Sequence, residues 1–314
     1  MPTAAELPPV VVVTGPTATG KTALAIALAK RFDGEIVNAD SMQVFRHMDI
    51  GTAKPTLEER AQVPHHLIDV VTPKVPYSAG RYAVDAHAAA AGIHAAGRLV
   101  VLVGGTGLYI KAFLKGLVEA GNVDHEVRGE LEREQAAAEA SGDAGRLHRR
   151  LAAIDPESAR RIHPHDAKRV LRALELFESG GLTASQRREA HGFGDQRYRV
   201  LHLALDLERA ALNRRIDARC QQMLDAGLLR EVRHLVALGY GFQLRPLQAI
   251  GYRHMQPVVA GADTLTNALE AMRRDTRRYA RRQRTWLRKV PEAIWVDAEA
   301  RDEIAERVEA FLAE

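Results

Sequence analysis

The stretch Gly15-Pro16-Thr17-Ala18-Thr19-Gly20-Lys21-Thr22 decides the fold class. It follows the apolar run Val10 to Val13 and opens Ala23-Leu24-Ala25-Ile26-Ala27-Leu28-Ala29-Lys30, a string of strong helix formers. Strand, glycine-bounded loop and helix, in that order, turn a G-x-x-x-x-G-K-[ST] match into a phosphate-binding loop. Gly15 and Gly20 let the backbone curl so that successive N–H groups point inward, and the helix N-terminus adds the positive end of its dipole. Lys21 supplies a mobile cation for the terminal phosphate, and Thr22 offers a hydroxyl to a bound magnesium ion. All eight residues are candidate polyphosphate ligands. The loop leaves open which polyphosphate binds and whether it is hydrolysed.

Outward from the loop, Gly34 to Ala39 reads as a second strand ending at Asp40-Ser41-Met42-Gln43. In a parallel α/β sheet the loops at the carboxyl ends of strands form the ligand crevice, so Asp40 is expected on the rim that carries the phosphate loop. An Asp before a new element is commonly a helix N-cap. A carboxylate beside a polyphosphate site suffers charge repulsion, however, and a functional role accounts for its presence better. Leu99 to Val103 is a continuous apolar run, as in a central parallel strand. It ends in Gly104-Gly105-Thr106, without the acidic residue that an ATPase or GTPase carries there for magnesium, which weakens any reading based on nucleotide cleavage. The glycine pair followed by Thr106 makes a small, hydroxyl-bearing floor that a substrate can approach closely. His65 and His66 have no companion ligand spacing and read as structural.

The 314 residues suffice for a large domain or two, with 46% hydrophobic and 27% charged residues as in globular proteins. No apolar run reaches the length of a membrane span, and no secretory signal is apparent. Cys220 is the one cysteine, which excludes an intramolecular disulfide and a multi-cysteine zinc site and fits a reducing cytoplasm. Composition shifts near Asn122. Residues 123–197 are charged and helical and read as an insertion between the core segments 1–122 and 198–314. Tyr198 to Leu205 returns to the sheet, Leu212 to Leu238 reads as one amphipathic helix, and Leu247 to Arg253 as a second compact loop-to-helix segment. In the insertion, Lys168 and Arg172 share a helix face beside Arg169, with Val170, Leu171 and Leu174 on the apolar side. The last long helix, 267–289, holds nine basic residues against one Asp between Arg273 and Lys289. On a wheel of 100° per residue, Arg277, Arg281, Arg284 and Arg288 fall within about 80° of Arg273. Such a single-sign stripe predicts a polyanionic partner.

These pieces together predict an α/β P-loop NTPase-like parallel sheet flanked by helices, with an all-helical insertion domain. The combination points to group transfer from a diphosphate or triphosphate compound to something polyanionic. The sequence closely resembles the bacterial tRNA dimethylallyltransferases, also called tRNA isopentenyltransferases. The resemblance is carried by Gly15 to Thr22, Asp40-Ser41-Met42-Gln43-Val44-Phe45-Arg46, Asp49 to Pro55, and His65-His66-Leu67-Ile68-Asp69. Further along it rests on Gly104-Gly105-Thr106, Arg169-Val170-Leu171-Arg172-Ala173-Leu174-Glu175, Ile250-Gly251-Tyr252-Arg253, and Arg282-Gln283-Arg284-Thr285-Trp286.

The resemblance implies transfer of a dimethylallyl group from dimethylallyl diphosphate to N6 of adenosine 37, beside the tRNA anticodon, with Mg2+. It implies Asp40 as general base, Lys21 and Thr106 at the transfer site, Gly15 to Thr22 on the diphosphate, and Thr22 on the metal. Asp40, Ser41, Met42, Gln43, Thr106, Arg128, Lys168 to Arg172 and Gln248, Ala249, Ile250, Gly251, Tyr252 and Arg253 would touch the tRNA anticodon stem-loop. Arg277, Arg281 and Arg284 join them from the charge stripe. Thr19, Phe45, Lys168 and Gln248 stand where Ser, Tyr, Gln and Arg are common. The expected protein is a cytoplasmic monomer with no membrane partner. The competing classes are a small-molecule P-loop kinase, a non-catalytic RNA-binding protein, and a prenyltransferase acting on free adenine nucleotides.

Overall fold

Alternation along the strand Pro9–Thr14 (β1) sets the architecture. Val10 and Val12 pack into one core and Val11 and Val13 into another, so helices must cover both faces of the sheet. The computed structural model describes residues 7–117, 124–191 and 197–314. β1 passes through the phosphate loop into the helix Lys21–Arg31 (α1), followed by strand Gly34–Asn38 (β2), helix Leu57–Gln62 (α2), the two-residue strand His65–His66 (β3), helix Ala79–Ala95 (α3), strand Leu99–Val103 (β4) and helix Gly107–Lys115 (α4). After the insertion come strand Arg199–Asp206 (β5), the helices Arg209–Asp225 and Leu228–Ala237, a 3₁₀ turn Arg245–Gln248, helices Tyr252–Val259 and Leu265–Leu287, strand Ala293–Asp297 and helix Arg301–Ala313.

The insertion holds helices His125–Ala140 (α5), Arg146–Ile154 (α6), Pro156–Arg161 (α7), Ala167–Gly180 (α8) and Ala184–His191 (α9). The five helices after β5 are then α10, α11, α12, α13 and α14, and the last strand is β6. Strand order is β3-β2-β4-β1-β5-β6, every pairing parallel, with Val12 beside Leu102 and His202. α1 and α14 cover one face, and α3, α4 and α10 to α13 cover the other.

The chain divides into two compact units, Met1–Leu114 with Gln196–Glu314, and Lys115–Asp195. The boundary expected at Asn122 falls outside the described residues. The second unit has its own core of Leu131, Leu147, Leu151, Val170, Leu171 and Leu174. Between Leu212 and Leu238 the expected single helix is two. The break follows Asp225, where Gly227 at φ 104° turns the chain into α11. β3 spans only two residues, and β6 leaves Ile294 and Trp295 partly exposed. Among the described residues no helix is long and apolar enough to cross a membrane.

Candidate active site

The carboxyl ends of β1, β2 and β4 open on one cleft of about 1430 Å³, entirely within the first unit. The phosphate loop forms its floor. Gly15 (φ 147°) has to be glycine, because a Cβ there would stand 2.7 Å from the Leu205 carbonyl oxygen. Ala18 and Gly20 also take positive φ, so the chain curls tightly before α1 begins. Thr19 Oγ1 donates to Pro16 O at 2.9 Å, and Lys21 Nζ donates to the same carbonyl at 2.7 Å. Thr17, Ala18, Gly20, Lys21 and Thr22 line the cleft, whereas Thr19 is buried and braces the loop. Burial, reinforced by the nearby Arg219 guanidinium and opposed by Asp40, pushes the Lys21 ammonium down from its ordinary value to about 7.

Asp40 faces this floor from the end of β2. Its N–H donates to Asn38 Oδ1 at 3.1 Å, and its Oδ1 accepts from Met42 N–H at 2.8 Å, an Asx turn that fixes the carboxyl group. No helix follows Asp40, so it is not a helix N-cap: one oxygen organises the turn while the side chain lines the cleft. Four carboxylates line the cleft: Asp40, Asp49, Glu59 and Asp69. Lys54 holds Asp49 at 2.5 Å and Asp69 at 2.6 Å, and Glu59 closes a capping box with Thr56. Asp40 has no ion-pair partner among the described residues, which leaves its second oxygen available to a substrate.

Thr106 stands against the Asp40 turn, behind the residues that line the cleft. Its Oγ1 accepts from Ser41 N–H at 3.0 Å and lies 3.2 Å from Ser41 Oγ, so the hydroxyl holds the turn that carries Asp40. The glycine pair before it also has a different cause. A Cβ on Gly104 would stand 2.3 Å from the Ala39 backbone, and one on Gly105 would stand 2.3 Å from Gln283 Nε2. Both glycines line the cleft, but the Ala39 backbone demands the first and the Gln283 amide occupies the space left by the second.

Several residues that sequence reasoning left unassigned complete the cleft. Arg219, on α10, reaches it with a guanidinium that has no hydrogen-bond partner among the described residues. Burial pulls its pKa below the ordinary arginine value, and Asp40 acts against that shift. Met272, Thr276, Tyr279 and Gln283 form one face of α13 on the cleft. Burial, followed by Asp40, raises the Tyr279 phenol. Glu231, on α11, accepts N–H bonds from Asp49, Ile50 and Gly51 at 3.0, 2.7 and 3.1 Å and a hydroxyl bond from Tyr252 at 2.6 Å. It thereby fixes the loop after Gln43. Gln43 Nε2 supports the same loop through Thr52 O and Ala53 O. None of these contacts has a local sequence signal.

The expected nucleic-acid contacts divide by burial. Ser41, Met42, Gln43, Gln248, Ala249, Ile250 and Arg253 line the cleft, with Arg253 also bonded to Asp275 at 2.6 Å. Tyr252 is fully buried, and Gly251 beside it is buried as well. In the insertion Lys168 and Arg169 are exposed, while Arg128 and Arg172 converge on the buried Glu175 at 3.3 and 2.5 Å. Val170 and Leu171 belong to the insertion core. Tyr252, Val170 and Leu171 are therefore corrected from contact residues to core residues. The arginine stripe also needs correction. Arg277 makes a two-pronged pair with Asp217, and Arg284 pairs with Asp206 at 2.5 Å, both half-buried. Arg281 is exposed, as are Arg274 and Arg288. His66 Nε2 meets Glu35 at 2.6 Å, in keeping with a structural role. Among the described residues no group of three or more His, Cys, Asp or Glu side chains is placed to hold a metal ion.

Comparison with known proteins identifies this cleft's lineage. Residues 43–290 match the family model for IPP transferase, and residues 8–76 that for isopentenyl transferase. A tRNA dimethylallyltransferase of Desulfosudis oleivorans is 52% identical over 92% of this chain and 91% of its own length. One of Geobacter metallireducens is 50% identical over 91% and 92%. Among solved structures, the tRNA isopentenylpyrophosphate transferase of Bacillus halodurans superposes with a TM-score of 0.71 at 37% identity, covering 98% of this chain and 97% of that one. A eukaryotic dimethylallyltransferase acting on tRNA gives 0.78 at 29% identity, covering 93% and 74%. The chain belongs to the IPP transferase family, the tRNA dimethylallyltransferases.

Proposed function

We propose that this prenyltransferase moves the dimethylallyl group of dimethylallyl diphosphate onto N6 of an adenosine beside the tRNA anticodon, at position 37, releasing diphosphate. One observation carries the reading. The phosphate loop, Arg219, which has no hydrogen-bond partner among the described residues, and Asp40, the carboxylate that acts on both Lys21 and Arg219, meet in a single cavity. The phosphate loop at the start of α1, with Lys21 and Arg219, suits a diphosphate whose charge grows as it leaves. Thr22 fits a magnesium site built mainly from diphosphate oxygens and water, since no protein cage of acids is present among the described residues. The ion would supply charge neutralisation on the leaving group. Asp40 accepts the N6 hydrogen as the C–N bond forms and the allylic C–O bond breaks, and Thr106 keeps its turn in place. The adenine has to leave the anticodon-loop stack to reach Asp40. The exposed arginines of α13 and the insertion's Lys168 and Arg169 suit the phosphate backbone of the anticodon stem-loop.

The purified protein, incubated with labelled dimethylallyl diphosphate and separately with tRNA, AMP and ATP, is expected to label tRNA alone. Label on AMP or ATP would move the acceptor to free nucleotides. ATP hydrolysis without prenylated product would reject the reading.

A further inference from the structure

We propose that Gln283 is a positioning residue for the transfer step, its one amide tying the phosphate loop to the Thr106 loop and so setting the spacing between the donor's diphosphate and the acceptor amine. The inference rests on the proposed reading of the cleft as a prenyl-transfer site.

Gln283 lies on the otherwise arginine-rich α13 and is only 8% exposed. Its Oε1 accepts from Thr17 N–H at 2.9 Å, and its Nε2 donates to Gly105 O at 3.1 Å. Thr17 belongs to the loop that grips the donor. Gly105 immediately precedes Thr106, which bonds Ser41 next to Asp40. A continuous path of hydrogen bonds thus runs from the phosphate loop, through one side chain, to the turn that carries the proposed base. β1 and β4 are already paired as far as Val13 and Val103, so the strands do not need this bridge. It acts past their ends, one residue beyond the Gly104 N–H that donates to Val13 O at 3.2 Å.

The fit is specific to an amide. Gly105 leaves the space that Nε2 occupies. The pairs Arg277–Asp217 and Arg284–Asp206 fix the helix rotation that aims the side chain. One group must accept on one side and donate on the other. A carboxylate there would accept from Thr17 but repel the Gly105 carbonyl. A protonated carboxyl could serve both partners.

The test uses Gln283→Met, of similar length without polar atoms, and Gln283→Glu. Four quantities are measured: melting temperature, affinity for inorganic diphosphate, single-turnover transfer from dimethylallyl diphosphate to tRNA, and the pH profile of that transfer. Transfer by the wild type checks the underlying reading, and the ratio of variant to wild type checks Gln283. Gln283→Met is expected to stay folded and keep diphosphate affinity within about threefold, while the transfer rate falls on the order of 100-fold. The rate of Gln283→Glu relative to wild type is expected to recover as pH is lowered, with no such recovery for Gln283→Met. A Gln283→Met rate near that of the wild type would overturn the proposal. So would a loss matched by diphosphate affinity or by unfolding, or a Gln283→Glu ratio that ignores pH.

Discussion

The arginines of α13 are expected to separate into two functional sets when neutralised in groups. Arg274, Arg281 and Arg288 are exposed and have no ion-pair partner among the described residues. Arg277 and Arg284 are locked to Asp217 and Asp206, with side-chain exposures of 38% and 24%. Each backbone phosphate neutralised by a protein cation contributes about 0.7–0.9 to the slope of log affinity against log salt. If all three exposed arginines contact phosphates, changing them together to Gln flattens that slope by about 2–3 and leaves the fold intact. Changing Arg277 and Arg284 instead strands two half-buried carboxylates, at about 1–2 kcal/mol each. In a unit of this size, where 1 kcal/mol moves the melting temperature by 2–4 °C, the double variant melts roughly 4–16 °C lower. Its salt slope is expected to change by less than about 1.

The assay is tRNA binding by fluorescence anisotropy from low to moderate salt, paired with thermal melts. Two results would refute the reasoning. An unchanged slope in the exposed triple variant would mean that this face does not meet RNA. Equal flattening in the Arg277, Arg284 double variant without loss of melting temperature would mean that the ion pairs open to bind the backbone.

Other consequences of the cleft are directly measurable. Below about pH 7 Lys21 is charged before the donor arrives, whereas above it binding must take up a proton, so donor affinity is expected to fall with rising pH by up to about tenfold per unit. Lys21→Arg, which stays charged, should lose that part of the pH dependence; calorimetry in buffers of different ionisation enthalpy checks it, and identical proton uptake in both proteins would contradict it. Asp40→Asn keeps the bond to Met42 N–H but not the basicity, so turnover is expected to fall roughly 10²–10⁴-fold with tRNA affinity little changed, and wild-type turnover would reduce Asp40 to a turn former. Chelating magnesium is expected to stop transfer and to weaken binding of the diphosphate donor, with both restored on adding the ion back; full transfer in chelator would remove the metal from Thr22.

The parts of this protein legible in the sequence are those whose cause is local. Gly15 to Thr22 announces itself because backbone curl, cation and helix start are neighbours along the chain. β4 is legible because a strand covered on both faces is apolar at every position. Arg219, Glu231 and Gln283 are illegible for the opposite reason. Gln283 meets Thr17 across 266 residues, and Glu231 meets Ile50 across 181, so neither has a neighbour in sequence that explains it. A helical wheel places Arg277 and Arg284 on an outward stripe because it knows nothing of Asp217 and Asp206. Tyr252, Val170 and Leu171 show a related limit. A motif can mark a family while its apolar members serve the core.

The cleft's charges bear on why it suits transfer rather than hydrolysis. A nucleotide-cleaving loop of this kind takes its magnesium acid from the end of the neighbouring strand, here β4. That position is closed at Gly104 by the Ala39 backbone, while a side chain at Gly105 would have to displace the Gln283 amide. Lys54 pairs with Asp49 and Asp69, Glu59 closes the Thr56 capping box, and Asp40 is the cleft carboxylate that acts on both Lys21 and Arg219. Asp40 faces two cations, Lys21 and Arg219, both strained by burial toward their uncharged forms. A diphosphate bound between them relieves that strain, and it does so increasingly as negative charge moves onto it from the breaking allylic bond. On the proposed reading, the cations thus favour departure of the leaving group, while Asp40 beside them takes the proton that the incoming amine must lose.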